Sequence, residues 1–337
     1  MHLTALVEHV EHVCCRYRLT AFRPYLEEAG HQLQFVTLPH GWLARFRAIH
    51  AIQRTDALIV QRKMLHSWQL YLSRQRAPLL IFDFDDAIFM RDSYSAKGLY
   101  NPRRLKRFTT MVRAADAVVA GNNFLKEQAA MLCGTERIYV VPTCVDPQRY
   151  PLAEHHRHGP AVQLVWIGSR STMHGISAMQ TVLQHIHERW PGICLKIICD
   201  RFPQLPSMPV LCCPWTAAGE AQELATADIG ISWMPDDLWS RGKCGLKVLQ
   251  YMAAGLPVVA NPVGVQADMV QHGETGFLAS TPEEWAEAVG RLANDPALRQ
   301  RMGREGRRRV ESDFSVRAGA SRWLALLLDL QCRREAA

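Results

Sequence analysis

At 337 residues the chain suits two domains of ordinary size, and 48% hydrophobic with 21% charged residues is a globular composition that excludes a disordered protein. The formal net charge of +7 is modest and dispersed, which argues against a nucleic-acid partner, and no apolar run approaches the ~20 residues that span a bilayer. Ten cysteines with no CxxC pair and no zinc spacing read as buried, reduced thiols of a cytoplasmic protein.

The N-terminus, MHLTALVEHVEH, has no basic leader and carries Glu8 and Glu11, so a secretory signal is not expected. Leu3 to Val7 reads as a strand, Tyr17 to Ala29 as a helix with Leu19, Phe22 and Leu26 on one face, and Gln32 to Leu38 as an alternating strand. Three later stretches repeat one local pattern: a small residue or Thr, then Asp, then an apolar run. They are Thr55-Asp56-Ala-Leu-Ile-Val, Ala115-Asp116-Ala-Val-Val-Ala and Ala227-Asp228-Ile-Gly-Ile, and each reads as the start of a buried parallel strand. Further strands are expected at Leu79 to Phe84, Ile138 to Val141, Val162 to Ile167, Cys194 to Cys199 and Val210 to Cys213. Strands alternating with helices throughout predict an open α/β fold. A polar, histidine-rich stretch bracketed by prolines, Tyr150 to Pro160, is the expected boundary. It divides the chain into domains 1–155 and 156–313, with a last amphipathic segment over 314–337. Arg103, Arg104, Lys106 and Arg107 form one basic cluster, and Arg304, Arg307, Arg308 and Arg309 another. Both read as solvated helix faces, with peripheral contact to an anionic membrane surface, at the inner face of the membrane, as the alternative.

The most informative stretch is Arg241 to Gly264, RGKCGLKVLQYMAAGLPVVANPVG. A basic, glycine-lined loop (Gly242, Lys243, Gly245) leads into a short helix with Leu246, Leu249 and Ala253 on one face. Gly255 stands where a left-handed cap belongs, and Pro257 follows where a helix cannot continue. Pro257-Val-Val-Ala then reads as a buried strand. The helix N-terminus favours an anion through its free N–H groups and its dipole, and Lys247 in the first turn adds a full charge. Such a site suits a phosphate-bearing ligand.

This segment resembles the nucleotide-sugar site of retaining glycosyltransferases with the GT-B fold, in the large bacterial family 4. The usual form there is Glu-x-Phe-Gly-Leu-x-x-x-Glu-(Ala)-Met-Ala-x-Gly-x-Pro-Val-Val-Ala. Gly245, Leu246, Met252, Ala253, Gly255, Pro257, Val258, Val259 and Ala260 match as they stand. The two glutamates do not: Gly242 occupies the place of the first and Gln250 that of the second. The chain therefore looks like a divergent branch. The resemblance implies two doubly wound Rossmann-like domains facing across a cleft, the donor on the C-terminal one, with the terminal segment crossing back to the N-terminal one. After the strand ending at Ile167, the family commonly reads Gly-Arg-x-x-x-x-Lys-Gly; here Gly168 is followed by Ser169 and, at the lysine place, His174, with Arg170 beside them. A histidine still donates to phosphate but is charged only in the acid range. Asp236 or Asp237 is a substitute for the missing first glutamate. In the N-terminal domain, Cys14-Cys15-Arg16-Tyr17-Arg18 is similar to a Ser-Arg-Tyr-Arg version, so Arg16 and Arg18 are candidates for an anionic acceptor or the diphosphate.

Leu79-Leu-Ile-Phe-Asp83-Phe-Asp85-Asp86 supports two readings. An apolar strand ending in Asp-x-Asp is similar to the nucleophile loop of haloacid-dehalogenase phosphatases, which holds a divalent metal. In the GT-B reading the same place often carries His-Asp, and Asp85 and Asp86 become acceptor-side groups that orient or deprotonate a hydroxyl. The expected activity is transfer from a nucleoside diphosphate sugar to a saccharide or lipid-linked acceptor, in polysaccharide or glycoconjugate synthesis. Retention of configuration, no metal and no cofactor beyond the co-substrate are part of that expectation, and Lys247, Asp85 and Asp86 are its catalytic candidates. The rivals are a metal-dependent phosphohydrolase using Asp83 and Asp85, and a non-catalytic nucleotide-sugar-binding protein on the same fold. No Gly-x-Gly-x-x-Gly follows any strand, which disfavours a dinucleotide oxidoreductase.

Overall fold

The computed structural model describes residues 1–336. Its chain divides into two compact units: unit 1 joins Met1–Cys144, Asp237–Cys244 and the C-terminal segment from Val316, and unit 2 joins Val145–Asp236 and Gly245–Ser315.

Unit 1 is built on strands β1 (His2–Val7), β2 (Gln32–Thr37), β3 (Ala57–Gln61), β4 (Leu79–Phe84), β5 (Ala117–Ala120) and β6 (Ile138–Val140). They form one parallel sheet in the order β2-β1-β3-β4-β5-β6. Both faces are covered. Leu58 and Val60 of β3 enter one apolar cluster while Ala57 and Ile59 enter the other, as the period-two side-chain geometry of a strand requires. The helix Val316–Glu335 closes the second face with a stripe of Val316, Ala320, Trp323, Leu327 and Leu330 at helical spacing. Gly319 allows the close approach, since a Cβ there would lie 2.6 Å from both Cys144 Sγ and Phe22 Cε1.

Unit 2 holds β7 (Gln163–Ile167), β8 (Cys194–Cys199), β9 (Val210–Pro214), β10 (Ile229–Ser232), β11 (Val258–Ala260) and β12 (Gly276–Leu278). The order is β12-β11-β10-β7-β8-β9, again all parallel. Counted from β7 this is the doubly wound nucleotide-binding order, and its topological switch point lies between β7 and β10. Ligands in such sheets bind beyond the carboxyl ends of the strands at that point. The α/β, doubly wound expectation is thus met in both units.

The three Asp-led strand starts have one cause. The backbone N–H of Asp56 donates to the His2 carbonyl at 2.8 Å while its carboxylate accepts the His2 N–H at 2.7 Å. Asp116 does the same with Leu80 (2.8 and 2.7 Å), and Asp228 with Gln163 (3.0 and 2.9 Å). Each aspartate clamps the first or second residue of the neighbouring parallel strand and so fixes its register. Hydrogen bonds to a charged group of this kind are worth ~1.5–3 kcal/mol each.

One sequence expectation is revised. The helix expected from Tyr17 to Ala29 is three pieces: Val13–Arg18, a 3-10 turn over Thr20–Phe22, and Arg23–Glu28. Pro24 has no N–H to donate back along a continuous helix, so the chain restarts there. The histidine-rich stretch is anchored to unit 2 at two points, while His156 and His158 stay exposed. His155 is buried with its Nε2 3.0 Å from the Gly255 carbonyl, and Arg157 pairs with Asp228 at 3.1 Å.

Candidate functional site

In unit 2 the helix Leu246–Ala253 forms as expected, starting on Gly245 in the left-handed conformation (φ 66°) and ending before Gly255 (φ 70°). Gly245 has no side chain to cap the first turn, and a Cβ there would meet Met269 Sδ at 2.6 Å. The helix is tied to the switch point by Tyr251, which no sequence pattern singled out. Its hydroxyl accepts the Ile167 N–H at 3.0 Å and donates to the Ile231 carbonyl at 3.2 Å, bridging the ends of β7 and β10. Gly230 is required beneath it, because any Cβ would run into the tyrosine ring. Lys247 lies with Nζ 4.4 Å from the ring centroid of Trp166, the buried penultimate residue of β7. A lysine over an indole face is held in place by a cation–π attraction.

The loop after β7 presents Gly168, then exposed Ser169 and Arg170, then His174 in the helix Met173–Ala178. Ser169 and Thr172 cap the turn reciprocally, and the Arg170 N–H donates to Asp200 at 2.9 Å, leaving the guanidinium at the surface. Helix capping and a charged, exposed rim coexist here. Gln250, at the second glutamate's place, is buried, and its Nε2 donates to the Tyr150 hydroxyl at 3.3 Å.

Unit 1 carries a second charged cluster, at the carboxyl ends of β3 and β4. Arg62 follows β3 with φ 56°, the one non-glycine residue of positive φ among the described residues. Its guanidinium spans two carboxylates: Nη1 donates to Asp85 at 3.0 Å and Nη2 to Asp86 at 3.1 Å. It also donates to Cys14 Sγ at 2.6 Å. Lys243 Nζ pairs with the same Asp86 oxygen at 3.0 Å and sits 4.2 Å over the Trp239 ring. Burial alone would raise the Asp85 carboxyl, but Arg62, then Arg18, then the hydrogen bond with Cys14 and the charge of Lys243 outweigh it and hold Asp85 below the usual carboxylate range. Burial pushes the Cys14 and Cys244 thiols up, so neither is a thiolate nucleophile.

Several candidates are placed otherwise than expected. Arg18 is buried and spends its guanidinium on Asp83 (Nη2 to Oδ1, 2.5 Å) and on the Val141 carbonyl (2.8 Å), so it does not face an acceptor. Arg16 is half-buried, stacked 5.6 Å over Tyr17, and stays the candidate of that pair. Asp237 caps the short helix Leu238–Arg241 through the Ser240 N–H at 2.8 Å and accepts from Ser93 at 3.1 Å. Asp237 and Lys243 both group with unit 1, whereas Gly245, Leu246 and Lys247 belong to unit 2. The missing first glutamate has a steric reason: a Cβ at Gly242 would lie 2.7 Å from Ala87 Cβ and 2.9 Å from its N. Among the described residues no group of three or more His, Cys, Asp or Glu side chains is arranged to hold a metal ion. No helix among them is long and apolar enough to cross a membrane.

Residues 162–295 match the family described as Glycosyl transferases group 1. The alpha-1,3/1,6-mannosyltransferase ALG2 of Rhizomucor pusillus is 34% identical over 88 residues, which are 26% of this chain and 19% of that protein. A glycogen synthase of Mycobacterium tuberculosis is 27% identical over 221 residues, 60% of this chain and 52% of that protein. The matched segments thus span about half or less of these curated relatives. Among solved structures, a sucrose-phosphate synthase from Thermosynechococcus elongatus superposes with a TM-score of 0.74 at 15% identity, over 99% of this chain and 100% of that one. Anabaena HepE, in complex with UDP and glucose, gives 0.69 at 14% identity, over 98% and 100%. At that identity the likeness speaks for the fold, and the fold is GT-B. Residues 162–295 of the chain are thus similar to the glycosyl transferases group 1 family, and its fold is the GT-B fold.

Proposed function

We propose that the protein transfers a sugar from a nucleoside diphosphate sugar to an acceptor hydroxyl, with retention of configuration and without an essential metal, as a divergent relative of family 4. The observation that carries this reading is the start of the helix Leu246–Ala253, which opens on a left-handed glycine, has Lys247 in its first turn, and is bound by Tyr251 to the switch point of the sheet that matches the group 1 family. The helix start and Lys247 would stabilise the departing diphosphate as negative charge builds on it. Gly168, Ser169, Arg170 and His174 form the second wall of the same phosphate site, and Gln250 with Tyr150 serves the nucleoside end.

On the acceptor side the reading assigns Asp85 and Asp86 to orienting a hydroxyl. A carboxylate held ionised by Arg62 is a weak base, so Asp85 does not suit proton abstraction. The phosphohydrolase rival loses its nucleophile, because Asp83 is fully buried and committed to Arg18 and Gln61. Polysaccharide or glycoconjugate synthesis is the process that fits such a donor and acceptor.

A panel of nucleotide sugars, scored for thermal stabilisation and for release of nucleoside diphosphate, tests the reading. One or more donors should stabilise the protein, and release should need an acceptor and persist in EDTA. Complete loss in EDTA, restored by magnesium or manganese, would overturn the metal-independent part. Binding without release across a broad acceptor panel would favour the non-catalytic rival.

A further inference from the structure

Two helices of unit 1 wear their apolar residues on the outside. In Trp42–His50 only Ile49 is buried, while Trp42 (73% exposed), Leu43 and Phe46 face solvent. In Ser67–Arg74, Leu70 turns inward and Trp68 and Tyr71 (67% exposed) turn outward. Phe46 brings the two together, its ring 6.5 Å from that of Trp68 and stacked on His50 at 5.7 Å. Contiguous exposed aromatics of this kind mark a surface that meets something.

The charge around them is of one sign. Neither helix contains an Asp or a Glu, and neither does the neighbouring helix Pro102–Ala114 with its exposed Arg103, Arg104, Lys106 and Arg107. Burial, then Arg107 and Arg45, lower the pKa of His66, the cap of Ser67–Arg74, which brings charge from the first and third helices to the start of the second. Arg47 is exposed beside Phe46, and Arg76 reaches His50 at 2.7 Å.

The geometry points to a docking face for an anionic lipid bilayer, formed by the helices Trp42–His50 and Ser67–Arg74 with the basic helix Pro102–Ala114 as its electrostatic flank. Trp and Tyr are the side chains that settle at a headgroup boundary, because each has an apolar body and a polar tip. Arg and Lys on the flank add attraction to anionic headgroups that fades within a Debye length. A second protein would need acidic groups to meet the flank, and a second copy of this chain would bring the same cationic helices into mutual repulsion. The bilayer answers both features at once. This inference does not depend on the glycosyl-transfer reading.

The test is co-sedimentation of the full chain with vesicles of phosphatidylcholine alone and of phosphatidylcholine mixed with phosphatidylglycerol, at low and high salt. Wild type should pellet with the mixed vesicles at low salt and much less with the neutral ones. The double variant Trp42→Ala/Tyr71→Ala should bind the mixed vesicles about tenfold more weakly while keeping the wild-type unfolding curve, since both side chains are exposed. Arg103→Glu/Arg107→Glu should remove most of the salt dependence. No wild-type binding to the mixed vesicles, or equal binding by wild type and the aromatic variant, would overturn the proposal. A dimer in sedimentation velocity that the aromatic variant dissolves would overturn it too, assigning the face to a second copy.

Discussion

Arg62 offers the sharpest test of how unit 1 holds its acidic pair. Replacing it with Met keeps the bulk and the φ 56° backbone but removes both charge-assisted contacts, to Asp85 and to Asp86. Asp86 keeps Lys243 at 3.0 Å, so the loss falls on Asp85, whose side chain is 10% exposed. Removing one partner of a buried pair costs ~3–5 kcal/mol; with Arg62 itself a quarter exposed, the lower end of that range is expected. Arg62→Gly loses the same contacts but relieves the left-handed strain, and should recover ~1 kcal/mol relative to Arg62→Met. The assay is urea unfolding of both variants from pH 7 down to about 2.5, well below the ordinary carboxylate range. The sign follows from Asp85, whose folded-state pKa is depressed: its contribution is present above the unfolded pKa and is lost as pH falls through the folded value. The gap between wild type and Arg62→Met should therefore be widest near neutrality and narrow in acid. A Met variant with the wild-type midpoint at pH 7, or a gap that stays constant with pH, would refute the account.

Lys247→Ala should weaken nucleoside diphosphate binding by about one to two decades, the value of one charge-assisted hydrogen bond, and slow transfer at least as much. Isothermal titration checks it, and wild-type affinity in the variant would place the diphosphate elsewhere. Asp86→Asn should lower transfer while leaving donor affinity nearly unchanged, read as a fall in kcat at constant donor Kd; a large loss of donor binding in a folded variant would remove Asp86 from the acceptor side. Gly245→Ala should destabilise unit 2 by ~1–2 kcal/mol in denaturant melts, since Ala is strained at φ 66° and meets Met269. It should weaken nucleotide binding as well, and a neutral effect on both would show that the helix start tolerates a side chain.

What the sequence determined by itself was local. The run from Gly245 to Ala260 reads directly as a helix, a left-handed glycine and a buried strand, because each signal acts within a few residues. The Asp-led strand starts were legible for the same reason, although only the sheet shows that each aspartate holds an N–H at the start of the neighbouring strand. The tertiary structure decided which charges are consumed and which are displayed. Arg16 and Arg18 look equivalent in sequence, yet Arg18 is sealed against Asp83, 65 residues away, while Arg16 stays near the surface. Arg62 carries no motif; its importance comes from the chain's turn after β3, which sets one guanidinium between two carboxylates more than twenty residues on. Lys243 and Lys247 stand four apart, but the first neutralises Asp86 and the second covers Trp166. Ionic and aromatic partnerships of this kind depend on which strand ends a parallel sheet brings together, and a parallel sheet pairs residues far apart along the chain.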